Sequence, residues 1–295
     1  MNKLLLAPLL FAGACPVVTA YAGNSISLKQ AIAAHKVSIC AIGNGGYMGR
    51  CLNLNMVNLT NDPIKINIDP ALIFKPADTN YQNLVAIGDE TVDLLPGKET
   101  AVTLQTFCGK SFAMSPHWGS AFNLWKQGDS IMIKTVRYIK ENAFFSHLGQ
   151  SAIWTLTDNK CISTIYDPVD AENSKKFIEF EAALRRQPIP DYFSYYKLDT
   201  THNATTCVST DGKQYVDLKY KDGISRNVYI IILDDKGHPY EKYDIVEHIK
   251  DGNHTVTVQF DAAKDKLGAY AVLLRNDGNE ILDKKLVRVG EDWCN

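Results

Sequence analysis

The chain has 295 residues, 45% hydrophobic and 22% charged, which is the balance of a folded globular protein and not of a disordered or fibrous one. Its 31 Lys and Arg stand against 33 Asp and Glu, so no basic surplus points to nucleic acid. No stretch reaches the ~20 apolar residues that a bilayer span requires.

The first residues read as an export signal. Lys3 precedes an apolar run over residues 4–14, and Ala20-Tyr21-Ala22 has the small-x-small pattern that a signal peptidase cuts after. Residues 1–22 are therefore expected to leave, placing the mature chain outside the cytoplasm: secreted, periplasmic or at the cell surface. Cys15, behind Ala12-Gly13-Ala14, offers a second reading as the acylated cysteine of a lipoprotein. The cysteines that remain are Cys40, Cys51, Cys108, Cys161, Cys207 and Cys294. An even number in an exported chain reads first as disulfides. With no C-x-x-C and no H-E-x-x-H, neither a metal nor a cofactor is expected.

Ser27 with Gln30 starts a short helix over residues 28–35. Short strands follow at 37–42, 52–58, 64–68, 72–74, 84–87, 91–94 and 101–106, separated by Gly, Pro, Asn and Asp. The run Gly43-Asn44-Gly45-Gly46 lacks the Lys-Ser/Thr of a phosphate loop and reads as a hairpin turn. The period then changes. Ile131, Thr135, Tyr138 and Ile139 recur at helical spacing behind the cap Asp129, and Leu148, Ala152 and Leu156 do so behind Ser146. A further helix over 171–186 ends at Pro188-Ile189-Pro190, where the domain boundary is set. Beyond it, Asp-Gly pairs at 211, 222, 251 and 277 punctuate β-rich runs at 228–233, 255–260 and 269–274, the spacing of a two-sheet sandwich. Cys207 and Cys294 fall near its two ends, so a disulfide between them is the natural pairing.

This C-terminal stretch resembles immunoglobulin-like domains of secreted bacterial proteins. The residues that carry the likeness are Asp234-Asp235-Lys236-Gly237, Gly252-Asn253-His254, Phe260-Asp261-Ala262 and Leu267-Gly268-Ala269-Tyr270. It implies a fold and leaves the role at spacer or docking module.

Hydrolase signatures are missing: there is no G-x-S-x-G, and His117 and His147 read as surface or helix-cap histidines. One constellation carries chemistry. Phe107-Cys108, an aromatic-rich segment through Trp118, Phe122 and Trp125, and then Gln150-Ser151-Ala152-Ile153-Trp154 resemble the thioester domains of bacterial surface adhesins. That resemblance implies a β-sheet domain with a helical subdomain, an internal thioester between Cys108 and Gln150, Trp154 packed beneath it, and capture of a partner amine. The even cysteine count pulls the other way, toward a disulfide from Cys108 to Cys51 or Cys161, and makes the domain a passive scaffold.

The sequence thus predicts an α+β chain. A thioester-domain-like, mostly-β unit with a small helical subdomain covers 23–165, a helical connector 166–194, and an immunoglobulin-like sandwich 195–295. The function expected is non-enzymatic binding or adhesion, to a cell-surface protein or glycan, with Trp118, Phe122 and Trp125 as contact residues. A covalent adhesin is the alternative.

Overall fold

The computed structural model describes residues 25–196, 212–222, 228–245, 252–276 and 278–290. The expected signal segment, Cys15, Cys207 and Cys294 lie outside them. The fold is α+β and mostly β.

The first half runs β1 (Ile26–Ser27), α1 (Leu28–Ala33), β2 (Val37–Asn44), β3 (Met48–Asn58), β4 (Ile64–Ile68), β5 (Leu72–Pro76), β6 (Leu84–Ala86), β7 (Glu90–Leu94), β8 (Glu99–Cys108) and β9 (Trp118–Gln127). Six of these strands close a barrel in the order β2-β3-β8-β6-β5-β9, and β1, β4 and β7 make a separate small sheet. Period-2 alternation builds the barrel. Leu52, Leu54 and Met56 on β3, Phe74 on β5 and Leu104 on β8 are buried in one interior cluster, while the residues between them face outward.

One flank of the barrel is covered by helices α2 (Ser130–Glu141), α3 (His147–Thr157) and α4 (Ala171–Arg185). Outward-facing Ile73, Val85 and Phe107 share a second core cluster with Val136, Leu148, Ile153 and Phe177 of those helices. A buried polar chain ties the helices together: Thr135 donates to Glu181 at 2.5 Å, and Arg185 donates to Glu181 at 2.9 Å and to Thr155. On the opposite flank, over β9, β2, β3 and β8, Cys40, Ala101, Thr103 and Ala121 are exposed among the described residues, with α1 packed against β2 and α3 against the end of β8.

The chain then passes through β10 (Phe193–Tyr196) into β11 (Gly212–Asp222), β12 (Val228–Leu233), β13 (Pro239–Ile245), β14 (Gly252–Asp261), β15 (Gly268–Asn276) and β16 (Ile281–Val289). They form two sheets, β10-β11-β14 and β13-β12-β15-β16. Val216, Leu218 and Phe260 of the first sheet and Ile230, Val272 and Val287 of the second share a single core, which makes the pair a sandwich. At the junction Tyr166 stacks on Phe193 at 5.0 Å, and Lys175 pairs with Asp217.

The main departure from the sequence reading is β9. Residues 118–127 fall outside the strands read from the sequence, because Gly119, Ser120 and three aromatics obscure the alternation. Pairing with β2 and β5 makes the segment a barrel strand.

Candidate functional site

β8 ends at Cys108, and its last residues point to opposite faces. The Phe107 ring enters the cluster under the helices, whereas Cys108 belongs to the barrel interior. The first turns of α3 lie directly on this strand end. A Cβ on Gly149 would meet Phe144 O at 2.2 Å and Phe107 Cζ at 2.6 Å, so only glycine lets the helix press this close. The residue that precedes Gln150 is therefore fixed by packing, and it sets the height of Gln150 above the strand.

Gln150 is fully buried. Its carboxamide is bound on both sides by one residue: Cys108 N donates to Gln150 Oε1 at 3.0 Å, and Gln150 Nε2 donates to Cys108 O at 2.8 Å. Cys108 N also donates to Tyr47 O at 3.0 Å, which brings in the β2–β3 hairpin. The structure thus joins Cys108 to Gln150, the two residues that the sequence paired across 42 positions. Trp154, one turn further along α3, is buried as core.

Chemically, the carboxamide is preorganised. An N–H aimed at Oε1 is where charge develops if a nucleophile adds to Cδ, so the Cys108 amide is placed as an oxyanion donor. On the same helix Ser151 Oγ lies 3.3 Å from His147 Nε2, and the His147 ring meets Tyr195 edge-on at 5.3 Å. Burial pushes the His147 imidazole below its ordinary value, against a smaller opposing pull from Asp167. Ser111, just past β8, donates its backbone N–H to buried Asp158.

Among the described residues the disulfides expected at Cys40, Cys51 and Cys108 do not form; Cys161 is disulfide-bonded. Cys51 lies in the barrel interior, and burial raises its thiol pKa, with the nearby Thr106 hydroxyl opposing that. Its neighbour there is a hydroxyl. No group of three or more metal-binding side chains is present among the described residues.

No family model matches the chain. No curated protein matches it either, so the geometry and the sequence carry the functional reading alone.

The expected contact residues divide. Trp118 is 83% and Trp125 54% exposed, but Phe122 is 5% exposed and packs inside the barrel. Phe122 is thus a core residue. The reason is strand alternation: in β9 the residues at 121, 123 and 125 face out while Phe122 faces in. Sequence reasoning missed Tyr47 and Asp158, which bind backbone around Cys108 and Ser111. The glycine before Gln150 was the one signal of close packing there.

Proposed function

We propose that this chain is an exported binding protein whose barrel captures an amine-bearing partner through an internal thioester between Cys108 and Gln150. The observation that carries this is the buried carboxamide of Gln150 clamped to both backbone polar atoms of Cys108. The Cys108 sulfur adds to Cδ of Gln150, charge on Oε1 is held by the Cys108 N–H, and Nε2 leaves as ammonia with the thiol proton. A thioester and one ammonia replace a thiol and a carboxamide, with no oxidant or cofactor. An incoming primary amine then displaces the sulfur, leaving an amide on Gln150 and a thiol on Cys108. The combination of a barrel with a helical flank agrees with what the resemblance to adhesin thioester domains implies.

A passive reading is favoured by one specific feature. The carboxamide caps the end of β8 as a neighbouring peptide group would, and Gln150 serves that structural role without any bond to sulfur. Labelling separates the two. A biotinylated primary amine should attach at Gln150 in wild type, and both Cys108→Ala and Gln150→Ala should abolish attachment. No labelling of folded wild-type protein under any reducing condition sinks the covalent reading and leaves the passive one.

A further inference from the structure

The exposed flank of the barrel has an unusual composition. Ile42 pairs with Ala121 on one side and Asn53 on the other, and Asn53 pairs with Thr103. In the next row Cys40 pairs with Asn55, and Asn55 with Ala101. These residues face outward by the alternation of their strands. None of them is charged, in a chain where 22% of residues are. Charges border this patch: Glu99 lies beyond Ala101, Lys75 and Lys126 lie beside Trp125, and exposed Arg50 lies on β3, its carbonyl accepting from Asn44 Nδ2 at 3.2 Å.

Both exposed tryptophans belong to this face. Trp125 lies outward with Ala121 and Asn123, and Lys126 Nζ at 4.3 Å and Lys75 Nζ at 5.9 Å from its ring orient the indole. Trp118 is seven positions away, an odd spacing that in a regular strand would put it on the other side. A bulge corrects this. Ile42 faces Ala121 but Asn44 faces Trp118, so β9 has one residue more than β2 over that interval. Gly119, at φ 85° with nothing near a Cβ position, supplies the left-handed residue that such a bulge uses. At ~3.3 Å per residue, the two indoles mark the ends of a platform about 20 Å long.

Between them the polar groups are already fixed. Asn44 and Asn53 exchange carboxamide hydrogen bonds at 2.9 and 2.6 Å, and Thr103 Oγ1 donates to Asn53 at 2.8 Å. A patch whose centre bears amides and hydroxyls but no charge, flanked by exposed indoles, complements a ligand with apolar ring faces and neutral hydroxyl edges. It does not suit a polyanion, which would need a cationic stripe. We propose that this face, over β9, β2, β3 and β8, is a non-covalent binding platform for a neutral glycan chain, with Trp118 and Trp125 stacking on pyranose rings. The proposal rests on the reading of the chain as a binding protein and is independent of thioester formation.

The test is an intrinsic-fluorescence titration of the whole protein with cellohexaose, chitohexaose and mannohexaose, with heparin as the anionic comparison. A saturable change is expected with at least one neutral hexasaccharide. Trp118→Ala and Trp125→Ala should each weaken it by about tenfold or more, which is ~1.4 kcal/mol at 25 °C. Thr103→Lys, which puts a charge into the face without touching an indole, should weaken it likewise, and unchanged melting of the variants establishes that they fold. The same wild-type sample is scored for amine labelling, so a failure of amine labelling and a failure of glycan binding are read separately. No response to any neutral hexasaccharide, a response indifferent to both tryptophan variants, or binding to heparin alone would overturn the proposal.

Discussion

At the scale of single residues, the site is ordered by what burial does to polar groups. Gln150 is satisfied by backbone, whereas His147, beside it on α3, is penalised: burial lowers its pKa from 6.5. Below that ordinary value the unfolded chain takes up a proton that the folded state resists, so stability falls as the pH drops from 6.5 through the depressed folded value. Wild-type melting should therefore decline across that window more steeply than that of His147→Gln. Superimposable melting profiles from neutral pH into the acid range would mean that His147 is not held neutral by the fold.

At the scale of elements, two helix starts that look alike in sequence differ in the structure. Asp129 Oδ1 accepts from Met132 N at 2.9 Å and caps α2, whereas the Ser146 side chain makes no cap bond to α3. Asp129→Ala should destabilise by about 1 kcal/mol, and Ser146→Ala by much less. Chemical denaturation measures both, and equal losses would contradict the difference in capping. Local signals made several elements legible. Residues 64–68 read as a strand and form one, because Ile64, Ile66 and Ile68 alternate with polar residues between turn formers. The segment 118–127 was not legible, since its bulge at Gly119 breaks the alternation that identifies a strand. With the period hidden, Phe122 could not be told from the outward-facing tryptophans on either side.

At the scale of the whole molecule, the sequence pattern carried fold class but not closure. Nothing local announces that β6 also pairs with β8, or that β2 meets β9, because those pairings join distant segments, as in Val85↔Phe107 and Ala41↔Phe122. The Cys108–Gln150 pair was legible only through the likeness to thioester domains, and cysteine parity argued against it. The boundary at Pro188–Pro190 has a testable counterpart. β10 pairs with β11 from Phe193↔Tyr215 to Tyr196↔Gly212, and Tyr192 packs against the sandwich core. A fragment beginning at Asp191 should melt higher than one beginning at residue 198, which lacks that edge strand. Equal melting temperatures would show that β10 adds nothing to the sandwich.

The central claim concerns a covalent bond, and intact mass of the mature protein tests it most directly. The account predicts a wild-type mass short by one ammonia, after allowance for disulfide hydrogens, and a gain of one methylamine when that amine is added. It also predicts that Gln150→Ala neither loses ammonia nor gains methylamine at this site. A wild-type mass that retains the full ammonia, with no methylamine adduct, would contradict it and leave Gln150 as a structural cap on β8.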